Sequence, residues 1–127
     1  MSDLRYMLDT NICIYATQGT SEALKDRLAC QRSGSLAVSA ITLAELAIGL
    51  DGEVTEHAGL SAFLAAAPPL PFDSDAAQAY GRLPFRRGSY DRLIAAHALS
   101  LGLVLVSNDA AGFADVPGLA VENWTTP

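Results

Sequence analysis

Four acidic residues lie inside or at the borders of segments that are otherwise apolar: Asp9, Glu45, Asp91 and Asp109. Removing a carboxylate from water is costly unless a cation or hydrogen-bond donors replace the lost water. Only Asp91 has a basic neighbour in the chain, Arg92. The four acids therefore point to a shared cation, and a hard divalent metal ion is the cation that prefers oxygen ligands.

Each acid also has a simpler explanation. Asp9 and Asp91 are suited to capping helices, Asp109 is suited to shaping a turn, and Glu45 is a good helix former. A cap does not explain a glutamate inside an apolar helix, however. Because four independent coincidences are less economical than one acidic pocket, the combination favours a metal site.

Such a pocket suits phosphodiester hydrolysis. Carboxylates can hold one or two Mg²⁺ or Mn²⁺ ions, which activate water, neutralise the phosphodiester and stabilise the leaving oxygen. No nucleophilic side chain is needed, and the sequence has no G-x-S-x-G elbow, G-x-x-x-x-G-K-[ST] loop or G-x-G-x-x-G fingerprint. We interpret His97 as a hydrogen-bonded core residue and His57 as exposed on its helix.

Length and composition favour one cytoplasmic domain. The chain has 127 residues, 50% of them hydrophobic, which is enough for one packed core over residues 1–127. There is no apolar run near the roughly 20 residues needed to cross a bilayer, and no secretory signal pattern. Cys13 and Cys30 lack metal-ligand spacing, so we predict two buried thiols inside helices rather than a disulfide or a zinc site.

The net charge of −6 argues against a nucleic-acid partner, since phosphate binding usually requires a basic surface. The basic residues are unevenly distributed, however. Half of the eight fall within eleven positions, namely Arg82, Arg86, Arg87 and Arg92. Taken alone, this cluster is more typical of a solvated surface than of a substrate-binding site.

Alternating strands and helices predict an α/β fold around a parallel sheet. The predicted strands are 5–8, 36–38, 70–72 and 103–106, and helices follow Asp9 and Ser39 and cover 21–31, 53–67, 76–83 and 91–101.

Three consequences follow from this arrangement of elements. Asp9 and Asp109 both follow strands, and ligands of open α/β sheets gather at the carboxyl ends of strands. Strand 70–72 is expected at a sheet edge, because proline cannot donate a ladder hydrogen bond. The helix that carries Glu45 is apolar nearly all round, which predicts that it is buried.

Five ordered segments resemble the PIN-domain ribonucleases of the VapC type, the toxins of type II toxin-antitoxin pairs: MLDTNI at 7–12, VSAITLAEL at 38–46, DRLIAAHA at 91–98, VSND at 106–109 and VENW at 121–124. The resemblance implies a single PIN-like domain, a three-layer α/β/α fold around a mostly parallel sheet. It also implies a cytoplasmic, Mg²⁺- or Mn²⁺-dependent RNA endonuclease, a homodimeric toxin and inhibition by a VapB-like antitoxin.

The family's functional positions are all filled in this chain. Asp9, Glu45, Asp91 and Asp109 match its four acidic residues, which bind metal and act in catalysis, with Thr10, Asn11 and Ser107 as hydrogen-bonding neighbours. The implied reaction is hydrolysis of structured RNA, transfer RNA or ribosomal RNA, by metal-activated water, leaving 5′-phosphate products.

One stretch departs from the family pattern. The segment between Tyr80 and Asp91 is shorter than usual and contains Arg86 and Arg87, which are candidate contacts to RNA phosphates. This difference bears on the rim of the active site and so on the choice of substrate.

Three other interpretations compete with a nuclease. The first is a catalytically silent PIN-like module that binds RNA or antitoxin, which a missing acid would have favoured. The second, a phospho-receiver domain, requires a lysine beyond a late strand, whereas the only lysine is Lys25. The third, an aspartyl-nucleophile phosphatase, would carry an aspartate at the position of Asn11.

Overall fold

The protein, described by a computed structural model over residues 3–84 and 89–126, alternates short parallel strands with helices. The strands are β1 Tyr6–Leu8, β2 Leu36–Ser39, β3 Pro69–Leu70, β4 Val104–Val106 and β5 Val121–Glu122. The α-helices are α1 Thr10–Gln18, α2 Glu22–Ala29, α3 Ala40–Ile48, α4 Ala58–Ala66, α5 Ser74–Gly81 and α6 Tyr90–Leu101. Short 3₁₀ helices cover Val54–Glu56 and Ala110–Phe113.

All five strands join one sheet in the order β3-β2-β1-β4-β5, and each described pairing is parallel. Strand β1 is central, with Leu8 aligned to Val106 of β4. Strand β3 lies at an edge, as its prolines predict, although it begins one residue earlier than expected. Helices pack on both faces, so the predicted three-layer α/β/α fold is confirmed.

Short polar side chains start several of these helices. Asp9, Ser21, Ser39 and Asp73 each accept a hydrogen bond from a backbone N–H in the first turn of the helix that follows. Helix α6 ends at Gly102, whose φ of 68° is in the left-handed region that favours glycine. The boundaries were therefore predictable to within a few residues from local chemistry.

Two hydrophobic clusters hold the layers together, one on each face of the sheet. The first joins α1, α2 and α4 to β1 and β2 and includes the fully buried Trp124, whose ring meets Tyr6 edge-on at 4.8 Å between centroids. The second joins α6 to β4 and to the buried Phe113 and Val116.

The structure corrects two predictions about elements and adds one strand. Residues 53–67 form a 3₁₀ turn and the shorter α4 rather than one helix, with His57 between them. Helix α3 is not buried: of its nine residues only Thr42 is, and Ile48 is 76% exposed. Strand β5 had not been predicted, because two residues are too few for a recognisable pattern.

One cysteine is also misplaced by the sequence prediction. Cys13 is buried, as expected, whereas Cys30 lies exposed at the end of α2. No helix within 3–84 or 89–126 is both long and apolar enough to cross a bilayer.

Candidate active site

The four acids lie on different elements that meet around the carboxyl end of the central strand. Asp9 follows β1 directly, and its N–H donates to Val106 at the end of β4 at 3.0 Å. Asp109 comes three residues after β4, while Glu45 lies on α3 and Asp91 in the first turn of α6. The parallel sheet thus brings together residues that are far apart in the chain.

Asp9 is buried, with 4% of its surface exposed. One carboxylate oxygen, Oδ1, accepts the Ile12 N–H at 2.9 Å and so caps α1. The Ser107 hydroxyl also donates to the Asp9 carboxylate. The same hydroxyl oxygen accepts the N–H of Asp109 at 3.0 Å. Ser107 therefore connects the first and fourth acids, and the capping role of Asp9 coexists with its place in the pocket.

Glu45 is half-buried and is held by the residue next to Asp9. The Thr10 hydroxyl donates to Glu45 Oε1 at 2.7 Å and is also hydrogen-bonded to the Thr42 hydroxyl at 3.3 Å. Sequence reasoning missed Thr42, which is fully buried. Its position three residues before Glu45, on the same helix face, was the signal that could have identified it.

Asp91 and Asp109 are exposed at the rim. Asp109 Oδ1 accepts the Gly112 N–H at 3.1 Å and so caps a 3₁₀ helix. Asp91 is not a cap, because Ser89 occupies the N-cap position of α6 and Asp91 lies within its first turn. Partial burial and the negative charge of Asp109 raise the pKa of Asp91 above its ordinary value.

The charges of the acids act on one another. Burial, followed by the charges of Asp91 and Glu45, raises the pKa of Asp9 from 3.8 to about 6, although hydrogen bonds from Ser107 and Ile12 oppose that rise. The effects that lower this pKa are hydrogen bonds, and none of them comes from a described basic side chain. The pocket is thus electrostatically suited to a cation.

The donor set fits a hard metal ion, although the described side chains do not form a finished coordination site. Carboxylate and hydroxyl oxygens are the ligand type that Mg²⁺ and Mn²⁺ prefer. Within 3–84 and 89–126, no three His, Cys, Asp or Glu side chains are grouped closely enough to hold a metal as they stand. Two of the four acids, Asp91 and Asp109, are exposed at the rim.

The predicted arginine cluster is only partly a surface feature. Arg92 is buried, donating to Asp115 Oδ1 and to the Pro84 carbonyl, each at 3.1 Å. It therefore does not belong to a solvated basic patch. Arg86 and Arg87 lie outside the described residues, so their proposed phosphate contacts stay a prediction.

Three further predicted residues have clear positions. Asn11 is exposed on α1 beside the pocket. His97 is a satisfied core histidine, 1% exposed, with Nδ1 2.8 Å from the Ser39 hydroxyl and its ring edge-on to Phe72. His57 is half-buried rather than exposed on a helix, and its Nε2 lies 2.9 Å from the Asp51 carbonyl oxygen.

Comparison with known proteins matches the "PIN domain" family to residues 6–119. The chain is 34% identical to the tRNA(fMet)-specific endonuclease VapC of Salmonella typhimurium, over 95% of this chain and 98% of that protein. It is 37% identical to Ribonuclease VapC2 of Haemophilus influenzae, over 95% of this chain and 98% of the relative.

Solved structures give the same result. The fold superposes with a TM-score of 0.80 on VapBC2 from Rickettsia felis bound to a DNA fragment from its promoter, at 31% identity, covering 95% of this chain and 99% of that one. DNA-bound VapBC from Salmonella typhimurium also gives 0.80, at 32% identity, covering 95% and 98%. On sequence and fold, the chain belongs to the PIN-domain family and, within it, to the VapC group.

Proposed function

We propose that this protein is an Mg²⁺- or Mn²⁺-dependent RNA endonuclease and the toxin of a VapBC-type toxin-antitoxin pair. The names of its relatives, a tRNA-specific endonuclease and ribonucleases, support RNA as the substrate. The observation that carries the proposal is Asp9, a buried carboxylate whose pKa is raised to about 6 and which is influenced by two other acids. A buried acid in this environment is typical of a functional site.

Asp9, Glu45, Asp91 and Asp109 are the proposed metal ligands and catalytic residues. Ser107 and the Ile12 N–H orient Asp9, and Thr10 orients Glu45, so that the two least exposed acids are held in place before substrate arrives. Asp91 and Asp109, at the rim, are accessible to a phosphodiester. Asn11 is positioned to contact either the substrate or the pocket.

A divalent cation held by these carboxylates supplies charge neutralisation for the phosphodiester and lowers the pKa of water. The protein's own contribution is to orient the acids in a partly buried setting, where electrostatic interactions are stronger than in water. An RNA loop suits such a shallow site, because its unstacked nucleotides can present a phosphodiester at the rim.

The proposed protein partner is a VapB-like antitoxin, since the solved relatives are VapBC complexes. Helix α3 offers it a surface: Ile48 is 76% exposed, and a groove of about 510 Å³ runs past Glu45 between α1, α3 and α4. A groove lined by apolar side chains from three helices can receive an amphipathic segment of a partner protein. A homodimer of the toxin is the other assembly we propose.

The test is to incubate purified protein with total RNA in Mg²⁺ or Mn²⁺, with EDTA as the control, and to map the cleaved ends. We expect discrete metal-dependent cuts that carry 5′-phosphates. Asp9→Asn and Asp91→Asn should reduce the cleavage rate at least about 100-fold, because each removes a charged oxygen ligand. Addition of a VapB-like antitoxin should stop the wild-type reaction.

Circular dichroism of the variants provides the control for folding. Cleavage by folded Asp9→Asn at the wild-type rate would remove that residue from the mechanism. Absence of cleavage by folded wild type with either metal would favour the silent binding module instead.

A further inference from the structure

Arg92 follows Asp91 directly on α6, yet the two side chains have different environments. Asp91 is exposed, whereas the Arg92 side chain is 4% exposed. Its Nη1 donates to Asp115 Oδ1 at 3.1 Å and its Nη2 donates to the Pro84 carbonyl at 3.1 Å. These two hydrogen bonds connect the start of α6 to the chain that follows α5, through Pro84, and to the segment that follows β4, through Asp115.

The segment that carries Asp115 also carries Asp109. Between them, the chain forms consecutive tight turns, with Gly112 N–H donating to Asp109 Oδ1 at 3.1 Å and Ala114 N–H to Ala111 at 3.3 Å. Phe113, in the same segment, is buried against α6. Because this stretch has little freedom, the position of Asp115 constrains the position of Asp109.

The Arg92–Asp115 ion pair acts against the electrostatic repulsion between Asp91 and Asp109. Asp91 and Asp109 are both acidic, and like charges repel one another. An ion pair one residue away from Asp91 and six residues from Asp109 joins the same two elements, and its arginine end is buried.

Two simpler roles for Arg92 explain less. A phosphate contact is disfavoured, because the guanidinium is buried and two of its nitrogens are already engaged. General stabilisation alone is a weak explanation, because an ion pair with one buried and one partly exposed end contributes little net stability. The Arg92–Asp115 pair joins α6, which carries Asp91, to the segment after β4, which carries Asp109, and this location indicates a more specific role.

We propose that Arg92 and Asp115 are positioning residues that limit the separation of Asp91 and Asp109, so that one divalent cation can bind both. This inference rests on the proposed function. Neither residue touches the cation or the substrate. They act through the relative placement of α6 and the segment after β4.

The experiment measures Mn²⁺ binding to the purified full chain by isothermal titration calorimetry, without RNA. We expect Arg92→Met to raise the Mn²⁺ dissociation constant about 10- to 100-fold, as loss of an orienting partner does at other metal sites. Arg92→Lys should fall in between, because one ammonium group cannot reproduce the forked contact to both partners. Asp115→Ala should weaken binding as Arg92→Met does, and it decides the question if Arg92→Met does not fold.

Two control variants separate positioning from general stability. Arg27→Met breaks the exposed Arg27–Glu122 pair, at 3.3 Å, which joins α2 to β5 and does not involve α6. Leu24→Ala creates a cavity at a fully buried site on α2 and should lower stability without moving α6. Both should retain the wild-type dissociation constant, and urea unfolding of every variant gives the stability against which the Mn²⁺ data are compared.

The outcomes are distinct. An unchanged Mn²⁺ dissociation constant in folded Arg92→Met and Asp115→Ala would overturn the inference while leaving the proposed function intact. Equal weakening in Leu24→Ala at equal loss of stability would also overturn it. If wild type bound no Mn²⁺, or bound it equally after Asp9→Asn, the proposed metal site itself would fail.

Discussion

At the scale of single residues, the acids of this protein serve local structure and the pocket at the same time. Asp9 caps α1 through one oxygen, and Asp109 caps a 3₁₀ helix in the same way. Capping a helix does not prevent such a residue from binding a metal ion, because a carboxylate has two oxygens and about four lone-pair sites.

The raised pKa of Asp9 predicts that this residue destabilises the metal-free fold at neutral pH. Its pKa is 3.8 in the unfolded chain and about 6 in the fold, so folding favours the protonated form. Below pH 4 both states are protonated and there is no effect. Between pH 4 and 6 the free energy of unfolding falls as pH rises, and above pH 6 the loss is constant.

Asp9→Asn should therefore increase the free energy of unfolding in EDTA by about 1–3 kcal/mol at pH 7.5. The gain should shrink toward zero at pH 4. Urea unfolding at the two pH values measures it. Asp73→Asn is the matched control, since Asp73 also caps a helix but is exposed, and it should show no comparable gain. A destabilised Asp9→Asn at pH 7.5 would contradict the prediction.

At the scale of elements, the start of α3 determines where Glu45 and Thr42 lie. Ser39 ends β2 and accepts the Ile41 N–H at 3.1 Å, and its hydroxyl also meets His97 Nδ1 at 2.8 Å. Since Ser39 accepts from the backbone, its proton is available to the histidine. The pKa of His97 is lowered by burial, which is consistent with a neutral ring that accepts this proton.

Because Ser39 has both roles, we predict that removing its hydroxyl lowers the free energy of unfolding more than removing an ordinary helix cap does. Ser39→Ala should lower the free energy of unfolding by about 2–4 kcal/mol, because it removes a cap and leaves a buried histidine nitrogen unpaired. Ser21→Ala, which removes only the cap of α2, should cost about 1 kcal/mol. Denaturant unfolding of both variants at pH 7.5 measures the difference. Equal losses would show that the contact with His97 contributes nothing.

At the scale of the whole molecule, a central β1 between two cores places the acidic pocket at one end of the sheet. If four acids share a cation there, its binding should stabilise the entire fold. Mn²⁺ at about 100 times its dissociation constant should add about 2.7 kcal/mol, or roughly 10 °C in Tm for a chain of this size. Calorimetry with and without EDTA measures this shift. Asp9→Asn should reduce it, and an equal shift in that variant would place the ion elsewhere.

The sequence by itself predicted much of the fold around the acids. Helix starts at Asp9 and Ser39, the edge position of β3 and the α/β class all follow from local chemistry and from the alternation of apolar segments. The identity of the four acids was also readable, because a carboxylate in an apolar segment is conspicuous. Their catalytic and metal-binding roles stay a prediction.

Only the tertiary structure decided which groups meet and which are buried. It turned Arg92 inward to Asp115, exposed Ile48 on an apolar helix, exposed Cys30 and added β5 to the sheet. The physical reason is the range of the interactions. Capping and periodicity depend on residues a few positions apart, whereas burial and ion pairing depend on segments that the parallel sheet brings together from distant parts of the chain.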